Sequence, residues 1–244
     1  MYFEPFKDGS LKSIPYTGRK RLAKGYARQQ FEHILKNSVS LPEVLDQIHS
    51  IRPNKKSLQR VANRIRRSKG IISVGYSTKS KLSLQVFSRS AFTLKHLHEN
   101  NELFDEDAIA FTRIDVEVDK RGFSTSSYRA LFSLHSIQRL IERAKFNISK
   151  SLGDVVKNEG LCVLTKLKKD DVFGYGERMY LRSNNFSGVW AGEVTLSSEN
   201  MGGKMEMMNF KTFNNRTFLS QDEMSPEIFI QWKKVKGVSI NGIY

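Results

Sequence analysis

The sequence predicts an α+β protein, in which a basic helical N-terminal region precedes a mixed domain with an antiparallel β-sheet packed on helices. Two observations support this prediction. The first 69 residues combine helical apolar spacing with many lysines and arginines. From Gly70 onward, short segments rich in β-branched residues are separated by Gly, Asn and Asp turns. We therefore divide the chain into a basic helical region at 1–69 and an α+β domain at 70–244.

The charge of the chain indicates a polyanionic partner. Its 244 residues carry a formal net charge of +15, and residues 1–70 contain 16 Lys and Arg against 5 Asp and Glu. Nucleic acid is the commonest partner of such a surface, and a solvated basic surface without this role is the alternative. The candidate nucleic-acid-binding residues are Arg19, Lys20, Arg21, Lys24, Arg28, Lys55, Lys56, Arg60, Arg64, Arg66, Arg67 and Lys69.

Several classes of protein are disfavoured by what the sequence lacks. No apolar run reaches the ~18 residues of a membrane span, and the start of the chain has no signal-peptide pattern. The single cysteine, Cys162, supports neither a disulfide framework nor a cysteine zinc site. Phosphate-loop, dinucleotide, HExxH and CxxC motifs are absent. We therefore expect a cytoplasmic protein with no membrane partner, no metal and no cofactor.

The N-terminal region predicts two helices before its most basic segment. A short helix is expected at 30–37, and the tyrosines and basic residues before it suit either a single strand of nucleic acid or a solvated arm. A second helix is expected at 40–50, where Ser40 is a suitable cap and Pro42 a suitable first-turn residue.

The most basic segment, NKKSLQRVANRIRRSKG, predicts a third helix. Its narrow apolar stripe consists of Leu58, Val61 and Ile65, and its remaining surface is basic. Two short helices that end in a basic one are compatible with a helix-turn-helix-like reader, and contact with phosphates alone is the simpler interpretation.

Strand patterns begin at Gly70. IISVGY and KLSLQVF predict a β-hairpin, whereas SAFTLKHLHEN predicts a short helix with His96 and His98. IAFTRIDVEVDKRGF is the clearest strand, because apolar and charged residues alternate along it. Asp115 and Glu117 on its charged side indicate either a divalent-metal site or the solvated face of the strand.

The segment SSYRALFSLHSIQRLIERAK, residues 126–145, predicts a central amphipathic helix with Ser126 or Ser127 as its cap. At about 100° per residue, one side of this helix is apolar and the opposite side is basic. The apolar side consists of Leu134, Ile137, Leu140 and Ile141, and the basic side consists of His135, Arg139 and Arg143.

The remaining sequence predicts a second helix at NISKSLGDVV and then four antiparallel strands. The predicted strands are LCVLTKL, ERMYLRS, GVWAGEVTLSS and MEMMNFKTF, separated by turn-rich clusters. A last helix has Pro226 in its first turn, and Trp190 and Trp232 are interpreted as packing residues.

The order of the central helix, a second helix and a run of strands resembles small toxin-like ribonucleases of the barnase–EndoU–colicin–RelE-like fold. The resemblance covers about residues 130–220 and implies a nuclease-like domain. It also implies that the helical His and Arg, with polar residues of a late strand, line the scissile phosphate. The corresponding residues of this sequence are His135, Arg139, Arg143, Lys211, Thr212, Asn214 and Arg216.

The leading hypothesis is a nucleic-acid-binding protein with a metal-independent endoribonuclease activity. His135 is the candidate acid or base, Arg139 and Arg143 are candidate phosphate ligands, and Lys211 is a candidate for the second proton transfer. Tyr128 and Glu142 are alternatives for that transfer. A protein inhibitor or a partner subunit is a further possible partner.

Two other hypotheses use the same sequence features. In the first, the protein is a non-enzymatic DNA- or RNA-binding regulator that holds phosphates with the same basic residues. In the second, it is a metal-dependent nuclease that uses Asp115 and Glu117.

Overall fold

The computed structural model describes residues 16–79, 81–97, 103–120, 122–144, 151–200 and 207–235. These residues form helices and one eight-stranded sheet, so the predicted α+β class is confirmed. Among the described helices, none combines the length and the apolar character needed to cross a membrane.

Helices and strands account for most of the described residues. The helices are α1 (Tyr16–Leu35), α2 (Leu41–His49), α3 (Lys55–Ile65), α4 (Leu134–Arg143), α5 (Leu152–Lys168) and α6 (Pro226–Val235), and a short 3₁₀ helix spans Gln221–Glu223. The strands are β1 (Ile71–Ser77), β2 (Leu82–Leu97), β3 (Leu103–Asp119), β4 (Gly122–Ser133), β5 (Phe173–Tyr175), β6 (Arg178–Arg182), β7 (Gly188–Asn200) and β8 (Met207–Ser220).

The sheet consists of two meanders that meet through their last strands. The strand order is β1-β2-β3-β4-β8-β7-β6-β5, and every neighbouring pair is antiparallel except β4 and β8, which are parallel. The prediction of an antiparallel sheet is therefore corrected to a mixed sheet. In each half of the chain, two helices precede four strands: α2 and α3 precede β1–β4, and α4 and α5 precede β5–β8.

The two helix pairs cover opposite faces of the sheet. On the α5 face, α1, α4 and α5 pack against side chains that include Ile109, Phe111, Phe132 and Phe213. On the α3 face, α2 and α3 pack against side chains that include Val86, Ile114, Val116 and Phe210. Along β3, Ile109 and Phe111 lie on the α5 face and Ile114 and Val116 lie on the α3 face, as the period of two in a strand requires.

The N-terminal helices lie on both sides of the sheet. Helix α1 buries Ala23, Ala27, Phe31 and Ile34 on the α5 face, whereas α2 and α3 pack on the α3 face. The connection between them passes β2, where the Val39 backbone N–H donates to the Arg89 carbonyl at 3.2 Å. The apolar sides of the first helices are thus part of the cores that contain the sheet.

The predicted helices of the N-terminal region are confirmed for α2 and α3, including Ser40 at the N-cap and the buried stripe Leu58, Val61 and Ile65. The helix predicted at 30–37 is much longer, because α1 already begins at Tyr16. Gly70 follows α3 with φ of +71°, and a Cβ there would lie 2.3 Å from the Val39 nitrogen. Only glycine fits this close left-handed turn.

Three predicted elements are wrong. The central helix does not begin at Ser126, because residues 126–133 belong to β4 and Ser133 caps α4 by accepting from the Ser136 N–H at 3.2 Å. SAFTLKHLHEN is part of β2 up to Leu97, and His98 lies outside the described residues. LCVLTKL lies in α5 rather than in a strand. A short continuous apolar run does not by itself distinguish a buried strand from a buried helix.

Helix α5 carries a fully buried carboxylate that fixes it to β7 and to the loop that precedes β7. Glu159 is 0% exposed, and its two oxygens accept from Ser183, Asn185 and the indole N–H of Trp190, the last at 2.6 Å. These donors satisfy the charge that burial would otherwise make costly. Trp190 and Trp232 are both buried, as predicted for packing residues.

Candidate nucleic-acid interface

Helix α3 has one buried and one basic side because of the spacing of its residues. The Asn54 side chain caps the helix by accepting from the Ser57 N–H at 2.8 Å. Leu58, Val61 and Ile65 are buried against the α3 face of the sheet. The opposite side of α3 therefore faces away from the sheet.

The outward side of α3 forms a surface cleft of about 550 Å³. Four cations and two amides line it, and all six are exposed. They are Lys56, Gln59, Arg60, Asn63, Arg64 and Arg67. We refer to these six residues as the α3 row. Lys56, Arg60 and Arg64 follow one another at four-residue intervals, so their charges lie on one side of the helix.

Among the residues that the structure describes, the cations of the α3 row have no nearby counter-charges. Within the described residues, no carboxylate lies within 4.0 Å of Lys56, Arg60, Arg64 or Arg67. The sequence from Gln47 to His98 contains twelve Lys and Arg and no Asp or Glu. Arginine and lysine in this state offer all their donors to an external anion.

Arg66 has a different environment from the α3 row. One of its Nη atoms donates to the Val74 carbonyl of β1 at 3.1 Å, and the other donates to Asn63 Oδ1 at 3.0 Å. Arg66 therefore connects β1 to the outer side of α3 and orients the Asn63 amide.

The basic residues of α1 lie on the other side of the sheet. Lys20, Arg21 and Lys24 are exposed. Arg28 forms an ion pair with Glu32 at 3.2 Å and lies 4.0 Å from Asp107, so its charge is partly compensated. The residues predicted to bind nucleic acid are thus divided between two faces of the sheet.

The basic side of α4 is held by contacts within the protein. Arg139 donates to Glu142 at 2.8 Å and to His135 Nε2 at 3.3 Å. Arg143 donates to the Phe218 carbonyl at 2.7 Å and pairs with Glu223 at 3.0 Å. The predicted apolar side is confirmed, because Ile137, Leu140 and Ile141 are buried and Leu134 is partly buried.

The imidazole of His135 is exposed, and its pKa is lowered. Partial desolvation lowers its pKa below the ordinary value, and the positive charges of Arg139 and Arg143 lower it further, against the opposing charge of Glu142. A neutral imidazole can accept a proton, so His135 retains the chemistry of a base.

Lys211 does not lie beside His135. It is next to Tyr128 across the β4–β8 pair, and its ammonium forms an ion pair with Asp170. Phe132, three residues before His135, pairs with Asn215. Asn215 lies four residues, or about 13 Å, beyond Lys211 along β8, so Lys211 is distant from the start of α4.

The other late-strand candidates have different environments in the fold. Thr212 alternates with Lys211 along β8 and is buried on the α3 face, and Asn214 donates to Thr195 at 3.3 Å. Arg216 pairs with Glu193 at 2.8 Å and with Glu106 at 3.6 Å.

The carboxylate of Asp115 is surrounded by donors. It accepts from Arg113 at 3.0 Å, Gln85 at 2.9 Å and Lys168 at 2.8 Å. Burial raises its pKa, but these hydrogen bonds together outweigh burial and hold the pKa below its ordinary value. Within the described residues, no group of three or more His, Cys, Asp or Glu is arranged to hold a metal.

No protein-family model matches the chain, and neither a curated protein nor a solved structure is similar enough to match it.

Two residues of the α3 row, Gln59 and Asn63, were not among the predicted site residues. Their signal in the sequence is their spacing. Gln59 follows Lys56 by three residues and Asn63 follows Arg60 by three residues, so each amide lies next to a cation on the helix surface. Basic charge alone does not reveal them.

Proposed function

We propose that the protein binds nucleic acid through the outer side of α3. The observation that carries this proposal is the α3 row, in which three cations of a packed helix, and Arg67 just beyond its end, have no carboxylate of the described residues in reach. Cations arranged this way can neutralise successive phosphates and release their counterions. In this proposal Arg60 and Arg64 are the principal phosphate contacts.

The proposal is tested by measuring binding to a fluorescent 20-base-pair duplex over a range of salt concentrations. Removing two phosphate contacts in the double variant Arg60→Ala/Arg64→Ala is expected to reduce the salt slope by about two. The matched control is Lys169→Ala/Arg178→Ala, which removes the same charge from exposed positions elsewhere. An equal loss in both variants, or no binding by the wild type, would contradict the proposal.

We propose the metal-independent endoribonuclease activity as a second function, centred on His135. The exposed imidazole beside Arg139 supports it, since RNA cleavage requires a base and a cation near the phosphate. Lys211 is paired with Asp170, whereas Glu142 and His135 both accept from Arg139, so Glu142 is the favoured alternative for the second proton transfer.

The second proposal is tested by incubating the purified protein with labelled RNA in EDTA. We expect cleavage by the wild type and its loss in His135→Ala. Equal cleavage by both proteins, or none by the wild type, would remove His135 from the mechanism. Cleavage only after addition of Mg²⁺ or Mn²⁺, and its loss in Asp115→Asn, would favour the metal-dependent hypothesis instead.

A further inference from the structure

We propose that α3 enters the major groove of duplex DNA and that Asn63, with Gln59, contacts base edges there. This inference rests on the proposed binding function and adds to it the type of nucleic acid and a specific readout. Four observations carry it: the dimensions of α3, the exposure of its outer side, the orientation of the Asn63 amide and the position of Gln59.

The dimensions of α3 suit B-form DNA. Its 11 residues are about 16 Å long, and only its inner side contacts the sheet. The major groove of B-DNA is about 12 Å wide and admits a helix, whereas the deep and narrow major groove of A-form RNA does not. The cations of the α3 row would then face the phosphates that border the groove.

The Asn63 amide is oriented before any ligand binds. Asn63 is exposed, and its Oδ1 accepts from Arg66, which is itself anchored to the Val74 carbonyl of β1. Fixing the amide plane reduces the entropy lost on contact, so the specificity of the contact increases. Arg66 is a positioning residue in this arrangement.

The orientation leaves Asn63 the groups that a base contact requires. Its Nδ2 group has no hydrogen-bond partner among the described residues, and its Oδ1 has a second lone pair beyond the one used by Arg66. An asparagine amide can donate to adenine N7 and accept from adenine N6 in the major groove. Asn63 is therefore expected to prefer an A·T base pair.

Gln59 extends the readout along the groove. It lies four residues before Asn63, an axial distance of about 6 Å, or roughly two base-pair steps. Gln59 is exposed in the same cleft and carries the same amide chemistry. The pair would read positions within one short site, beside the phosphates held by Arg60 and Arg64.

The test is selection of binding sites from a randomised duplex DNA library by the full-length protein. We expect the wild type to enrich a short motif, and Asn63→Ala to lose the preference at one base pair by about tenfold. The matched control is Asn158→Ala, an exposed asparagine of α5 on the opposite face of the sheet, which should select the wild-type motif.

Arg66→Ala separates positioning from phosphate contact. We expect it to weaken the preference at the same base pair without changing the salt slope. A fall in the slope of about one would instead identify Arg66 as a phosphate contact and would overturn its positioning role.

The possible failures are distinguishable. If salt-dependent binding is retained but no motif is enriched, or if duplex RNA of the same sequence binds equally well, the readout is overturned and the binding function stands. If Arg60→Ala/Arg64→Ala binds DNA as the wild type does, the binding function itself fails.

Discussion

Helices α3 and α4 have similar basic patterns in the sequence but different surroundings in the folded protein. Lys56, Arg60 and Arg64 of α3 are exposed and have no carboxylate of the described residues in reach. Arg139 and Arg143 of α4 form hydrogen bonds and ion pairs with the protein itself. A row of cations is therefore informative about a ligand only when the protein does not already compensate its charge. The difference favours α3 as the surface for an external polyanion.

The largest expected effect is on nucleic-acid binding when the charges of the α3 row are reversed. Arg60→Glu/Arg64→Glu should weaken binding to duplex DNA by at least about a hundredfold at low salt, because two attractions become repulsions. Both side chains are exposed, so the thermal midpoint should change little. Binding is measured by fluorescence anisotropy and unfolding by circular dichroism. Weaker binding that results only from unfolding would remove the distinction between the two helices.

The next largest effect is expected when Arg143 of α4 is replaced, and it should be a loss of folding stability. Arg143→Ala leaves the Phe218 carbonyl and the Glu223 carboxylate without this donor, so we expect a loss of about 1 to 2 kcal/mol in the free energy of unfolding. Binding to the duplex should remain within about twofold of the wild type. Urea unfolding and anisotropy measure the two quantities. A large loss of binding with unchanged stability would show that Arg143 contacts the ligand.

The smallest effect concerns the compensated carboxylate of Asp115. Because its pKa is lowered in the folded state, its contribution to stability is complete above its unfolded pKa of about 3.9. The contribution is lost as pH falls through the lower folded value. The stability difference between the wild type and Asp115→Asn should therefore be larger at pH 7 than at pH 3 in urea unfolding. A difference that does not vary with pH would contradict the role of the cations around Asp115.

Much of the fold was predictable because its signals are local. The apolar stripe of α3, the β1–β2 hairpin and the alternation in β3 each follow from residues within one segment. The failures occurred where local patterns are ambiguous. In β4, the inward residues Tyr128, Ala130 and Phe132 continue directly into an amphipathic helix, so the junction at Ser133 is hidden.

The candidate site was predictable only in part. The charges of α3 were identified, but the sequence does not indicate that α1 and α3 lie on opposite faces of the sheet. It also does not indicate that Lys211 pairs with Asp170, which lies 41 residues away in the sequence. Such contacts depend on strand order, and local periodicity carries no information about strand order.

The sequence by itself determined the basic character of the chain, the amphipathic helices and the chemistry available on each. These properties follow from residue type and spacing within one or two helical turns. Only the tertiary structure decided which cations are compensated, because their partners come from distant segments that the mixed sheet brings together. The basic side of α4 forms contacts within the fold, and the basic side of α3 is exposed.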